Sequence, residues 1–149
     1  MVWLVFTNKG FLRLMFPSCK MNSGDYINLL NESLIPFLNE NNTVDWTFQQ
    51  DNAPIHCSHQ TKAWLLSNGV RLLQWPAISP DLNPVENVWG IIVRQIYAEN
   101  KKFSSTGELQ SAISRAVDSI NVDLCQKLIS SMPNRLFELI KKHGAMTKY

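Results

Sequence analysis

Charge is scarce in this sequence. Asp, Glu, Lys and Arg make up 17% of its 149 residues, where a soluble domain commonly carries about a quarter. Apolar residues make up 45%, which excludes extensive disorder and fits one domain with a core of its own. Long hydrophobic runs are missing too. None reaches the roughly 18 residues that a membrane span needs, so no membrane partner is expected. The apolar opening, 1–17, is interrupted by Lys9 and Arg13 and is followed by no small-residue cleavage site. It reads as strands rather than a signal peptide. Cysteine is limited to Cys19, Cys57 and Cys125, which builds no disulfide framework and is expected of a reducing compartment. No internal repeat and no low-complexity tract occur.

The charge that is present is unevenly spread. Residues 1–90 carry 5 Lys/Arg against 7 Asp/Glu, and residues 91–149 carry 9 against 5. A basic half suits a polyanion lying across it, although a solvated, lysine-rich helical surface would look the same.

Two motifs stand out. The first is Gln49-Gln50-Asp51-Asn52-Ala53-Pro54-Ile55-His56. It follows Val44 to Phe48, whose alternate apolar residues predict a half-buried strand. Asp51 is thus expected at a strand's C-terminal end, where open α/β sheets place their chemistry. The second runs from Trp75-Pro76-Ala77-Ile78-Ser79-Pro80 through Asp81-Leu82-Asn83-Pro84-Val85-Glu86 to Gly90. It is a proline-punctuated loop feeding a helix, with Asn83 as cap, Pro84 at the first helical position and Glu86 in the first turn. Asp51 and Glu86 have 34 residues between them. Two carboxylates, one from a strand end and one from a helix start, suit hard divalent cations such as Mg²⁺. Each has a plainer reading: Asp51 as a turn former and Glu86 as the closing residue of a capping box.

Together, Gln50-Asp51-Asn52-Ala53-Pro54 with His56, and Ser79-Pro80-Asp81-Leu82-Asn83-Pro84 with Glu86, resemble the catalytic signature of the Tc/mariner transposases. The resemblance extends over nearly the whole chain, including Ser131-Met132-Pro133-Asn134-Arg135-Leu136 and Thr147-Lys148-Tyr149. It implies that Asp51 and Glu86 are the second and third members of an Asp-Asp-Glu triad that binds Mg²⁺ or Mn²⁺. The activity it implies is metal-dependent DNA cleavage and strand transfer in the nucleus, by a protein that works as a homodimer on transposon ends and target DNA. The implied fold is α/β, a ribonuclease-H-like mixed sheet with flanking helices, incomplete at the N-terminus. On that mapping the core is expected at about 1–98 and a helical extension at about 104–149.

Local patterns fit an α/β order. Val2 to Phe6 and Phe11 to Phe16 predict a hairpin turning at Thr7-Asn8-Lys9-Gly10. Asn22 or Ser23 caps a helix bearing Tyr26, Leu29, Leu30, Leu34, Phe37 and Leu38, with Pro36 expected to kink it or end its regular bonding. Ser58 caps a short helix carrying Ala63, Trp64 and Leu66, ended by Asn68-Gly69. Val70 to Trp75 reads as a strand. The Glu86 helix keeps Val85, Val88, Trp89, Ile92 and Ile96 on one face. After a linker at 101–105, helices are expected at 106–120, 122–131 and 132–142, the last closed by Gly144.

The mapping starts the chain at the family's second strand. The first catalytic Asp, its strand and the N-terminal DNA-recognition region are then expected to be absent. Asp25, at a helix start, and Asp45, near a strand start, are poor substitutes. A two-metal centre holds its ions about 4 Å apart against the attacking and leaving oxygens, so the chain by itself is not expected to cut DNA. His56 and Asn52 are possible accessory residues, His56 within reach of a scissile phosphate or a metal-bound water. His56, Cys57 and His59 lack a second ligand pair for zinc. The five tryptophans fit core packing better than base stacking. The alternative function is an inactive nucleic-acid-binding or dimerisation module derived from a transposase.

Overall fold

The computed structural model describes residues 1–76 and 78–149, so Ala77 of the proline loop lies outside the described residues. It divides into two compact units: Met1 with Pro17–Ile78, and Val2–Phe16 with Ser79–Tyr149.

The second unit is built around a hairpin and one amphipathic helix. Strand β1 (Trp3–Thr7) pairs antiparallel with β2 (Gly10–Met15), Thr7 opposite Gly10, with a slip in register between Val5 and Phe6. Gly10 takes φ +117°, and a Cβ built there would stand 3.2 Å from Val122 Cγ2. Its bare backbone serves both the turn and the close approach of the helix that follows Asn121. Helix α4 (Pro84–Ile96) turns Val88, Ile92 and Ile96 into a core that also holds Leu4, Ala112, Ile113, Ala116 and Val117. These α4 residues recur at intervals of four, the spacing that keeps one helical face inward. Val85 and Trp89 pack at the margin of that core, as the sequence predicts. Helices α5 (Thr106–Asp118), α6 (Val122–Ser130) and α7 (Met132–Lys141) follow, each within one or two residues of its expected end. Gly144, at φ +88°, donates its N–H to Leu139 O at 2.9 Å and closes α7.

The first unit contains α1 (Ser23–Glu40), the four-residue α2 (Pro54–Cys57) and α3 (His59–Ser67). Asn22 and Asp25 form a reciprocal capping box at the start of α1. Pro36 does not end α1, which runs on to Glu40. Pro36 is exposed, so the carbonyl its missing N–H leaves behind can turn to water, while Leu34 and Phe37 continue the inward face on either side.

Two expected strands are much reduced. Val44 to Phe48 and Val70 to Trp75 meet in a single parallel bridge between Phe48 and Leu72. Its bonds are Phe48 N–H to Arg71 O and Leu73 N–H to Phe48 O, both 2.8 Å. Alternation identifies an apolar face, but a strand also needs a partner along its length, and the ladder here is confined to Phe48. The apolar face of α3 also differs from expectation. Thr61 and Leu65 are buried, whereas Ala63 and Leu66 are exposed. Thr61 can turn inward because its hydroxyl donates to Ile55 O at 2.7 Å, and Leu65 follows one turn later on the same side. Among the described residues no helix is long and apolar enough to cross a membrane.

Neighbouring leucines on α3 should respond very differently to truncation. Leu65 is 3% exposed and Leu66 is 82% exposed. Leu65→Ala is expected to cost about 2–5 kcal/mol, and Leu66→Ala less than about 0.5 kcal/mol. Urea titration of both variants checks the inversion. A further prediction concerns Glu108, whose Oε2 accepts from Ser104 N–H at 2.9 Å and from its hydroxyl at 2.8 Å. The Ser104 bonds hold this carboxyl below its ordinary value of 4.5. A depressed folded value means the stabilisation is complete above about pH 4.5 and is lost as pH falls through the folded value. Protection of the first-turn amides of α5, taken relative to the unstructured exchange rate at the same pH, should therefore fall on acidification, and Glu108→Gln should remove that dependence.

Candidate active site

Asp51 lies three residues beyond the Phe48 bridge and just before α2, in a loop whose side chains interlock. His56 Nδ1 is 2.5 Å from Asp51 Oδ1, and Ala53 N–H donates to the same oxygen at 3.0 Å. The imidazole is largely covered, at 14% exposure, while the Asp51 side chain is 58% exposed. The contact with His56 is the main influence on the Asp51 carboxyl and, against partial burial, holds it below its ordinary value. Asp51 Oδ2 makes no protein hydrogen bond among the described residues. One oxygen is thus oriented from behind and the other is presented outward, a hard donor of the kind Mg²⁺ or Mn²⁺ takes.

The imidazole is itself held. The Tyr26 ring stacks on it with centroids 4.2 Å apart. Tyr26 O–H donates to Gln50 Oε1 at 2.7 Å, and Gln50 Nε2 donates to His56 O at 3.2 Å. Trp75 Nε1 donates to Gln50 O at 2.8 Å. Asn52 is drawn alongside by longer contacts of 3.5 Å, from its Nδ2 to Trp75 O and from Cys57 Sγ to its Oδ1. A cleft of about 410 Å³ opens here, with Asn52, His56, Lys62 and Trp75 on its walls. The sequence singled out Asp51, Asn52 and His56. It assigned Tyr26 only to a helix face, and no local pattern pairs Gln50 with a tyrosine 24 residues earlier.

Asp25 and Asp45 are committed elsewhere. Asp25 Oδ2 accepts Asn22 N–H at 3.0 Å, and Asp45 Oδ2 pairs with Arg71 at 2.5 Å. His59 is exposed at the start of α3.

Glu86 is in the other unit, exposed in the first turn of α4, with its N–H donating to Asn83 O at 3.0 Å. Asn83 and Pro84 occupy the expected cap and first helical position, but the Asn83 side chain makes no cap bond, so no reciprocal capping box forms. The inward residues on either side are Pro84 and Val88, which turns Glu86 outward. Behind this helix start lies a polar cluster that sequence reasoning missed. Arg135, 1% exposed, donates to Asp81 O, Asn87 Oδ1 and Ser131 Oγ. Thr147 N–H donates to Asp81 Oδ2 at 2.7 Å. Partial burial raises the Asp81 carboxyl, but the donors turned toward it, Thr147 N–H first, hold it below its ordinary value. The available signal was Arg135 lying one helical turn beyond Ser131, on the inward side of α7.

All five tryptophans are half-buried. Trp46 and Trp75 donate their indole N–H to Asn41 O and Gln50 O, a structural use. In the basic half, Lys101 and Lys102 line an open groove of about 860 Å³ with Tyr97 and Phe103.

Comparison with known proteins identifies the family and the fold. Residues 1–110 match the family described as DDE superfamily endonuclease. The Tc3 transposase of Caenorhabditis elegans is 44% identical over 149 residues, all of this chain and 45% of the relative. The chain thus spans about half the length of the relatives it matches. Among solved structures, the Mos1 transposase catalytic domain with Raltegravir and Mg superposes with a TM-score of 0.84 at 19% identity, over 99% of this chain and 76% of that one. The Mos1 paired-end complex with left transposon end gives 0.80 at 20% identity, over 96% of this chain and 43% of that one. The fold is ribonuclease-H-like. The chain belongs to the DDE superfamily of endonucleases, in its Tc/mariner transposase branch.

Proposed function

We propose that this chain is catalytic-domain sequence for DNA strand cleavage and transfer, with Asp51 and Glu86 as ligands to Mg²⁺ or Mn²⁺. The observation that carries this is the Asp51 carboxylate, with Oδ1 oriented by His56 and Ala53 and Oδ2 presented outward. Glu86 adds a second exposed hard donor at a helix start. Bound divalent cations would activate the attacking water or 3′-hydroxyl and stabilise the leaving oxygen.

The chain's own residues set the conditions for that chemistry. His56 fixes the direction of the Asp51 carboxylate, and Tyr26 and Gln50 fix His56. Asn52, on the wall of the cleft, would donate to a backbone phosphate. The basic half supplies attraction for DNA, with Lys101 and Lys102 in an open groove beside Phe103. Of the similar Mos1 structures, one is a catalytic domain with Mg and another is a paired-end complex with left transposon end. Those neighbours support divalent metal and transposon-end DNA as partners, and target DNA and a homodimer bridging two ends complete the working assembly we propose for the whole protein. Its place of action would then be the nucleus.

Three measurements test this. Mn²⁺ should broaden the amide resonances of Asp51 and Glu86 selectively, and Asp51→Ala should abolish the effect at its own position. Uniform weak broadening across the chain would overturn the assignment. Any Mn²⁺-dependent nicking of DNA carrying transposon ends should vanish in both Asp51→Ala and Glu86→Ala. Nicking that survives either change would remove that residue from the site. DNA binding should be sequence-tolerant and weaken by at least about tenfold between 50 and 200 mM salt. Gel-shift titrations showing salt-insensitive binding, or none at low salt, would count against the basic half as the DNA surface.

A further inference from the structure

We propose that Arg135 is a positioning residue for Glu86, clamping the start of α4 from behind, and that the segment Thr147–Tyr149 closes the clamp. This rests on the reading of Glu86 as a metal ligand.

Three segments of chain converge on one guanidinium. Its Nη1 donates to Asp81 O at 2.6 Å, in the 3₁₀ turn Pro80–Leu82 that leads into α4. Its Nη2 donates to Asn87 Oδ1 at 2.8 Å, on the residue immediately after Glu86. Its Nε donates to Ser131 Oγ at 2.8 Å, at the junction of α6 and α7. The Tyr149 ring lies 4.6 Å from the guanidinium carbon, and Thr147 N–H grips Asp81 Oδ2. The helix start is therefore held on both sides of Glu86, at Asp81 and at Asn87.

Stability alone does not account for an arginine here. It is 1% exposed, and among the described residues no carboxylate forms a close ion pair with it, so burial of the charge is only partly offset by the attraction of Tyr149 and Asp81 from further away. Burying a cation is costly, and an apolar side chain of similar volume often serves stability as well or better. What an apolar side chain lacks is a rigid planar fork that can direct bonds to three separate acceptors. A lysine keeps the charge but not the fork. The arrangement thus favours geometry at the Glu86 backbone over net stability. A ligand carboxylate depends on such fixing, because an error near 1 Å can cost about a hundredfold in rate.

The test uses the full chain with Arg135→Met, Arg135→Lys, Asn87→Ala and deletion of residues 147–149. Hydrogen exchange at the amides of Glu86, Asn87 and Val88 should rise by about tenfold or more in both Arg135 variants relative to Ala116 and Val117 in the core. The Mn²⁺ concentration that broadens the Glu86 amide should rise about tenfold, while that for Asp51 stays as in the parent. Asn87→Ala and the deletion should move both readouts the same way by less, and they decide the matter if an Arg135 variant does not fold. Parent-like exchange and broadening at Glu86 would overturn the proposal, and so would a rise of equal size at Ala116 and Val117. Absence of Glu86 broadening in the parent itself would sink the metal reading instead, and the exchange comparison alone would then judge the clamp.

Discussion

Helix α4 carries two obligations at once. Val88, Ile92 and Ile96 must stay in the core of their unit, and Glu86 must stay out of it. A 3.6-residue period satisfies both, because Glu86 is offset from the Pro84–Val88 line by about half a turn. The core under α4 comes from the hairpin and α5, so residues far from Glu86 in sequence govern which side of the helix it occupies. Asn83 contributes little through its side chain, and the helix start is gripped instead from behind, at Asp81 and Asn87.

The first unit orients its carboxylate by a different means. No long helix points Asp51. It stands in a loop whose conformation is held by a relay from Trp75 and Tyr26 to Gln50, and from Gln50 to His56. A neutral donor holds the His56 backbone, a stacked ring positions the imidazole, and the imidazole positions the carboxylate. In both units the exposed acid is backed by buried or half-buried polar groups, which have partners and therefore one preferred geometry.

The plainer readings of the two acids cover only part of these surroundings. A turn-forming Asp needs only a nearby backbone N–H, which Ala53 supplies, yet Asp51 also engages a covered histidine. A capping Glu needs a reciprocal cap, which Asn83 does not make. Asp25 shows what such a cap looks like in this chain, complete in both directions with Asn22.

Much of the outline was legible in the residues themselves. The hairpin, α1, α4 and the three closing helices follow from turn residues, caps and apolar periods, all of which act within a few residues. The candidate acids, with His56 and Asn52, were legible because chemistry of this kind needs particular residue types at a local strand end and helix start. Tertiary structure decided the rest. Whether Val44–Phe48 and Val70–Trp75 become long strands depends on partners along their whole length, and among the described residues only Phe48 and Leu72 bridge. Whether Thr61 or Leu66 turns inward depends on an acceptor at Ile55, which makes burial of a hydroxyl tolerable. The role of Arg135 required Asp81, 54 residues earlier, and Asn87, 48 residues earlier, to meet one guanidinium. A local pattern records which residues can turn inward, but the partners that await them there are contributed by distant segments, and only folding brings them together.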